Sequence, residues 1–458
     1  MIAADVVIVG AGVVGTAIAR TLAQCELSCT LVEAGNDVGT GTSKANTAIL
    51  HTGFDAVPGS LESRLVTRGS TLLREYADRA GIPVERTGAL LIAWSPEQQA
   101  AFDEIVDKAR RNGYRLIRQI PTAELYRREP CLGPGATGAL EIPDEAVICP
   151  WTTPLAYATE AVLAGARLLL ATRVTAVRPA DNGAAYELDT TAGPLACRWL
   201  VNAAGLGSDI VDRMVRPGTF TIRPRRGELI VFDKLARKLV KHILLPVPTA
   251  RTKGVLIAPT VYGNVLLGPT AQDVADRADT ATTAGGLTAL LADGRRIMPG
   301  LVNEEVTATY AGLRAATEHH DYQIDVDGER RYACVAGIRS TGLTASLAIA
   351  EHVVDQMAAA GLRLGKRARS SPPVMPYIGE AGMRPYQNAG LIGADPAYGQ
   401  IVCHCERVTR GEIRDALAGP IPPADRDGLR RRTRVLNGRC QGFYCAAALS
   451  ELMSGSPK

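Results

Sequence analysis

Four of the chain's ten cysteines stand in two close pairs, Cys403-His404-Cys405 and Cys440-Gln441-Gly442-Phe443-Tyr444-Cys445. Four thiolates grouped in this way make a tetrahedral sulfur site, which suits zinc or an iron–sulfur centre. Zinc sites usually space their paired cysteines more widely than C-x-C. The other six, Cys25, Cys29, Cys131, Cys149, Cys197 and Cys334, are scattered among apolar neighbours and read as buried small hydrophobes. The start, Met1-Ile-Ala-Ala-Asp5, has no basic secretory n-region, so a disulfide framework is not expected.

A second chemistry is written at the amino terminus. Gly10-Ala-Gly12-Val-Val14-Gly15 matches G-x-G-x-x-G after a β-branched run and before a helical stretch. The first glycine permits the turn, the second admits a pyrophosphate, and the third lets the helix pack close to the sheet. The helix N-terminus then presents free N–H groups to the phosphates. Glu33, with Ala34 after it, ends the next strand, where a carboxylate can accept both ribose hydroxyls and disfavours a 2′-phosphate. Further polar, glycine-bearing loops follow at Gly39–Asn46, Leu200–Gly205 and Gly337–Ser346. Distant loops converging on one cofactor suit FAD, which is long and buried.

A flavin that oxidises an alcohol needs a partner for the hydroxyl proton, and histidine is the usual acceptor near neutral pH. His51 follows the Gly39–Asn46 loop directly and is the candidate. An anionic substrate needs cations. Arg314 is the first choice, Arg339 inside the last loop the second, and Lys253 at a strand start the third. The neighbouring pair His319-His320 is not read as a metal site, because adjacent side chains diverge and no cysteine or carboxylate cluster completes it.

These residues need a scaffold. The chain has 458 residues, 46% hydrophobic and 21% charged, and fits a globular protein of two or three domains. A net charge of +4 is too small to argue for nucleic acid, and no apolar run is long enough for a membrane span. A βαβ opening is expected from Val6–Val9, Val13–Cys25 and Cys29–Val32. Helical spacing continues at Leu61–Ala80 and Pro96–Asn112. Strands are expected at Gly88–Trp94, Arg167–Val177, Arg198–Ala203, Ile222–Phe232, Gly254–Ala258 and Val265–Gly268. The polar, proline-rich stretch Gly365–Met375 reads as the start of a linker.

From about Ile2 to Gly361 the chain resembles the D-amino-acid-oxidase superfamily of flavoproteins. The stretch Ser43–Gly59 resembles the FAD-dependent glycerol-3-phosphate dehydrogenases, especially the catalytic subunit of the anaerobic enzyme. The 2-hydroxyglutarate dehydrogenases are close relatives. This implies an α/β fold, a Rossmann-like FAD-binding domain with an inserted antiparallel-sheet substrate domain. The division implied is an oxidoreductase domain at 1–364, with FAD-binding parts about 1–80, 145–215 and 310–364 and a substrate domain about 81–144 and 216–309. A linker at 365–398 and a cluster domain at 399–452 follow. The resemblance also places Gly10, Gly12, Val14, Gly15, Glu33 and Ala34 at the adenosine diphosphate half, and Thr42, Ser43 and Asn46 along the pyrophosphate and ribityl chain. Val174 would meet the adenine, with Ala204 and Gly205 at the adenosine end. Gly312, Gly337, Thr341, Gly342, Leu343 and Thr344 would close over the ribityl and isoalloxazine.

The last part, C-x-C followed by C-x₄-C with Gly438-Arg439 before Cys440, resembles the bacterioferritin-associated-ferredoxin-like [2Fe–2S] domain, a small helical fold. It implies Cys403, Cys405, Cys440 and Cys445 as cluster ligands, and departs from the family at Phe443, where a small residue is frequent. Helices are expected at Thr409–Leu417 and around Asp427–Val435. Arg430-Arg431-Arg432 and Arg434 read as an offset to cluster charge, a docking face or a solvated basic helix. Together the two resemblances imply oxidation of a small anionic secondary alcohol, sn-glycerol 3-phosphate ahead of a 2-hydroxy acid. His51 would be the base, flavin N5 the hydride acceptor, and the cluster the relay. The electrons would go to an accepting protein or quinone-linked subunit, with the chain cytoplasmic or peripheral to a membrane through that partner. An amine substrate or a non-catalytic electron-transfer subunit are the alternatives.

Overall fold

The computed structural model describes residues 2–180, 185–248, 254–366 and 370–454. Ile2–Val9 is a central strand of an eight-stranded sheet, parallel to Cys29–Val32 on one side and Leu195–Asn202 on the other. Arg167–Leu169 and Tyr332–Ala336 extend the parallel part. Strands covered on both faces are mostly apolar, and Cys29–Val32 and Tyr332–Ala336 are buried along their whole length. The glycine turn feeds the helix Val13–Ala23, whose small residues Gly15, Ala17 and Ala19 are buried where it packs against helices Thr152–Leu163 and Gly342–Ala359. Helix Leu61–Ala80 crosses Gly342–Ala359 so closely that a Cβ on Gly69 would lie 2.4 Å from the Thr344 carbonyl oxygen.

The single strand expected over Arg167–Val177 is two strands. The chain turns at Ala171, with φ at 50°. There the Ala171 and Thr172 N–H groups bond the Gly35 and Glu33 carbonyls at 2.7 and 2.8 Å. Arg167–Leu169 then lies at one edge of the sheet. Val174–Pro179 lies at the opposite edge, in an antiparallel extension with Tyr186–Thr190. The helix expected over Pro96–Asn112 is likewise two, Pro96–Ala100 and Phe102–Arg111.

A second, nine-stranded sheet gathers strands from 89–142 and 223–316. Its spine is the long antiparallel ribbon of Arg223–Phe232 with Val306–Ala316. Its own core includes Leu90, Ile92, Ile230, Phe232, Ile257 and Leu267. A small three-stranded sheet joins the two halves: Ala146–Ile148 pairs with Ile49–Leu50 and with Val84–Glu85.

The stretch read as a linker is a packed strap over its described part. Met375 and Ile378 are buried, the Met375 N–H bonds the Ala80 carbonyl at 2.8 Å, and buried Arg384 pairs with Glu412 at 3.0 Å. Apolar side chains between the prolines fasten it. The C-terminal unit then folds around Val408, Ile413, Leu429, Val435 and Leu449, from the ribbon Ile401–Cys403 with Val408–Thr409 and helices Arg410–Ala418, Arg426–Thr433 and Ala446–Ser454. Thr409 and Glu412 form a capping box at the first of these helices.

The basic run of this unit points inward, which corrects its reading as a solvated or docking face. Arg432 forks onto buried Asp37 with both contacts at 2.7 Å, and Arg431 reaches the same carboxylate. Arg434 pairs with Glu406 at 2.8 Å and lies 4.1 Å above the Tyr262 ring, which stacks on Trp151. The Trp151 indole N–H in turn bonds the Lys44 carbonyl at 3.1 Å. Only Arg430 of the four stays at the surface, beside Asp427.

Candidate active site and cluster site

The amino-terminal turn is built for a phosphate chain. Gly10 has φ at +106°, and a Cβ there would sit 2.4 Å from the Ala203 carbonyl oxygen; one on Gly15 would sit 1.9 Å from that of Gly10. Both glycines are therefore demanded by close backbone packing. Gly12 differs, since its Cβ direction meets only the Ser43 hydroxyl at 3.4 Å. Those of Gly41 and Gly205 meet nothing within 4 Å. The helix that starts at Val13 has no acid in its first turn and no side-chain cap from Gly12. Room beside a helix N-terminus whose first turn carries no acid fits a pyrophosphate. Val14 lies in this first turn.

The Glu33 carboxylate accepts the Ala11 and Gly35 N–H groups, both at 2.7 Å, which pins it against the glycine turn with lone pairs left for hydroxyls. The Thr172 bond to the Glu33 carbonyl carries the chain from this point to Val174, and exposed Ala34 follows Glu33. Ala204 and Gly205 come alongside Gly10, because the Ala203 N–H bonds the Val9 carbonyl at 2.9 Å.

The later loops are held to this turn by their own side chains. Ser43 accepts the Val13 N–H at 2.9 Å, and Thr42 donates to the Leu313 carbonyl at 2.7 Å. Asn46 braces its own loop between the Ser43 carbonyl and the Ala48 N–H. A Cβ on Gly312 would lie 2.0 Å from the Ala45 carbonyl oxygen, so this glycine serves the approach of strand to loop. Thr341 bonds Glu62 at 2.7 Å, and Thr344 is fully buried and accepts the His51 N–H at 3.0 Å. Gly337 takes φ at 67°, and Gly342 and Leu343 open the helix Gly342–Ala359, which no side chain caps. These polar side chains hold one loop against another, and the cofactor surface left to them is largely backbone.

His51 stands at the end of this assembly, and its Nδ1 lies 3.3 Å from the Glu145 carboxylate. Arg314 lies on the strand tied to the Thr42–Asn46 loop through Leu313 and through the Tyr310 hydroxyl, which donates to the Asn46 carbonyl. Directly across the ribbon is Arg225. Arg225 is forked onto Asp273, at 2.6 and 3.2 Å. Arg314 has no carboxylate partner among the described residues, and burial, with Arg225 beside it, pulls its pKa below the usual guanidinium value. Arg339 is already engaged, by Glu62 at 3.2 Å and the His320 carbonyl. Lys253 lies outside the described residues.

In the C-terminal unit Cys403 neighbours Cys445, and Cys405 neighbours Cys440. The four thiols come as two pairs, and among the described residues no three His, Cys, Asp or Glu side chains converge into a closed metal cage. Their surroundings differ from thiol to thiol. Backbone N–H groups, led by Tyr444 and followed by Gly442 and Phe443, hold Cys440 below the ordinary thiol range. Burial pushes Cys403 up to about 11, an effect that coordination to iron reverses. A Cβ on Gly438 would lie 2.1 Å from that of Cys405, so only glycine lets the two loops meet. Four sulfurs, with backbone hydrogen bonds aimed at those of Cys403, Cys405 and Cys440, fit an iron–sulfur cluster. Phe443 and Tyr444 sit between two of the ligands with 83% and 73% of their surface exposed.

Sequence patterns did not reveal Glu145, an acid in a turn that becomes buried because the strand after it pairs beside His51. Nor did they reveal Asp37 or the Trp151–Tyr262–Arg434 stack, which are joined only in three dimensions.

The sheet order and the glycine cradle define a flavin-dependent oxidoreductase. Residues 5–356 match the family of FAD dependent oxidoreductases, and residues 401–454 match the BFD-like [2Fe-2S] binding domain. The solved structure of dithionite-reduced L-alpha-glycerophosphate oxidase from Mycoplasma pneumoniae with FAD bound aligns at a TM-score of 0.76 and 27% identity, covering 81% of this chain and 98% of that one. A glycerol 3-phosphate dehydrogenase of Caloramator mitchellensis is 33% identical over 452 residues, 98% of this chain and 94% of the relative. The human mitochondrial L-2-hydroxyglutarate dehydrogenase is 28% identical over 284 residues, 58% of this chain and 60% of the relative. The chain belongs to the FAD-dependent oxidoreductases of the glycerol-3-phosphate dehydrogenase/oxidase family and carries a C-terminal BFD-like [2Fe–2S] domain. No helix among the described residues is long and apolar enough to cross a membrane.

Proposed function

We propose that the chain oxidises sn-glycerol 3-phosphate to dihydroxyacetone phosphate and delivers the electrons to an external one-electron acceptor, a redox protein or a quinone-linked subunit. The observation that carries the substrate reading is Arg314. A guanidinium partly withdrawn from water, with no carboxylate partner among the described residues, carries a desolvation cost that an anionic ligand offsets. A phosphate gives the bidentate partner its planar fork prefers. Arg225 does not compete, because Asp273 already neutralises it.

His51 accepts the hydroxyl proton at an imidazole nitrogen, and its backbone is fixed by Thr344. Bound FAD supplies the hydride acceptor. The [2Fe–2S] centre, held by Cys403, Cys405, Cys440 and Cys445, supplies a one-electron carrier. A carrier of that kind on the same chain favours a dehydrogenase with a protein or quinone-linked acceptor over an oxidase. A 2-hydroxy acid would use the same arginine and histidine, and the partial match to L-2-hydroxyglutarate dehydrogenase keeps it as the second substrate class.

Dye reduction by the purified holoenzyme, with sn-glycerol 3-phosphate, L-2-hydroxyglutarate and glycine compared at equal concentration, tests this. Turnover is expected with the phosphate. Preference for the hydroxy acid or the amine overturns the substrate reading. No turnover with any, in protein that holds both cofactors, makes the chain an electron-transfer subunit. His51→Ala is expected to lower kcat by about 100-fold or more with the flavin spectrum intact.

A further inference from the structure

We propose that Glu145 is the positioning residue of the proton acceptor, holding the His51 imidazole by Nδ1 and stabilising the cation it becomes. This rests on the reading of His51 as the base. The placement follows from register. Ala146–Ile148 pairs antiparallel with Ile49–Leu50, with Leu50 opposite Ala146 and Ile49 opposite Val147. One step further along both strands, residue 145 must stand across from residue 51. The Glu145 side chain is completely buried there, and one carboxylate oxygen lies 3.3 Å from His51 Nδ1. The other oxygen accepts the Thr52 N–H at 2.7 Å and the Thr52 hydroxyl at 3.0 Å. The oxygen facing His51 accepts no hydrogen bond among the described residues, and the Nδ1 contact is an ion-pair approach.

A second His–Glu pair shows what a purely structural version looks like. Glu129 meets His242 Nδ1 at 2.6 Å, but the same carboxylate also accepts the backbone N–H groups of Lys241 at 3.0 Å and His242 at 2.8 Å. That pair is a backbone anchor. Glu145 differs because one of its oxygens is reserved for the imidazole. Burying an ionised carboxylate costs more than two hydrogen bonds to Thr52 return. The balance is met when the facing imidazole carries charge.

The chemistry is the orienting half of an acid–base pair. With the Nδ1 proton donated to Glu145, the Nε2 lone pair is the acceptor. As the alcohol O–H breaks, its proton passes to Nε2. The carbinol C–H electron pair leaves as hydride to the bound cofactor, and the C=O bond forms. The resulting imidazolium lies against the Glu145 carboxylate, the role an aspartate plays behind the histidine of a hydrolase triad.

The test compares Glu145→Gln and Glu145→Asp in the holoenzyme. Removing the anion disfavours imidazolium, so the His51 pKa falls and the acid limb of the kcat/KM profile moves to lower pH, by about one unit. The Gln variant is expected to lose about 100-fold in kcat with KM changed less than about threefold, and Asp to recover part of the rate. Titration of the His51 imidazole by NMR in oxidised holoenzyme without substrate gives a readout independent of turnover, and a fall of the same size is expected. An unmoved His51 titration and acid limb in the Gln variant overturn the proposal. So does equal loss of flavin, stability and rate in both variants, which marks a structural carboxylate. If His51→Ala keeps full turnover, the base assignment fails instead, and the NMR shift in Glu145→Gln still reports on the pair.

Discussion

The two cofactor regions solve the same problem in opposite ways. In the C-terminal unit the proposed site is four cysteines, and backbone N–H groups supply hydrogen bonds to the sulfur of Cys440. In the flavin region the site is mostly backbone, and the polar side chains that accompany it hold loop to loop: Ser43 to Val13, Thr42 to Leu313, Thr344 to His51. A soft metal cluster needs particular ligand atoms, whereas a long dinucleotide needs a shaped groove with N–H groups and no Cβ in the way. The first kind of site fails when one residue changes identity. The second fails when one glycine gains volume.

That contrast predicts a double dissociation, the largest effects expected. Cys405→Ser should abolish the cluster's visible absorbance and its reduced-state EPR signal while flavin content stays near one per chain. Gly312→Val should do the reverse, because the first added carbon already meets the Ala45 carbonyl oxygen at 2.0 Å and displaces the Thr42–Asn46 loop. Flavin should be lost while the cluster spectrum remains. Loss of both cofactors in both variants would mean the regions are not separable as described.

A smaller effect concerns how the regions are joined. Asp37→Ala leaves Arg431 and Arg432 buried without their carboxylate and should cost about 3–5 kcal/mol, read by thermal melting and by faster proteolytic release of the C-terminal unit. The same contact sets a pH dependence. Burial alone would raise the Asp37 pKa, but the Arg432 and Arg431 guanidiniums outweigh it and hold the group below its ordinary value. A depressed folded pKa gives stability that is complete above the unfolded value, about 4, and is lost as pH falls through the folded one. Acid should therefore loosen the junction in the native chain, and Asp37→Ala should remove that part of the acid sensitivity. The smallest effect expected is that of Ser43→Ala, which removes one bond worth about 1 kcal/mol and should weaken FAD binding by several-fold in a titration.

The same contrast explains what could be read in advance. Paired cysteines are visible as letters, and so is G-x-G-x-x-G between a strand and a helix. Arg314 was proposed because an anionic substrate needs a cation, and this one precedes the last cofactor loop. That no carboxylate among the described residues pairs with it emerges only beside Arg225 and Asp273. Glu145 was invisible because a turn acid looks solvated until strand pairing places it across from His51. The arginines at 431, 432 and 434 read as surface because three of their partners, Asp37, Asn264 and Tyr262, are far away in sequence. The apparent strand at Arg167–Val177 hid a turn because its apolar residues run through a left-handed Ala171 that no glycine announces.

One anionic alcohol should reduce both centres of this chain in order. Anaerobic mixing of the holoenzyme with sn-glycerol 3-phosphate, followed by stopped-flow flavin absorbance and freeze-quench EPR, measures it. Flavin bleaching is expected first and a reduced [2Fe–2S] signal after it, both lost in Arg314→Ala at the same substrate concentration. A flavin that stays oxidised with this substrate, or bleaches while the cluster remains EPR-silent, would contradict that expectation.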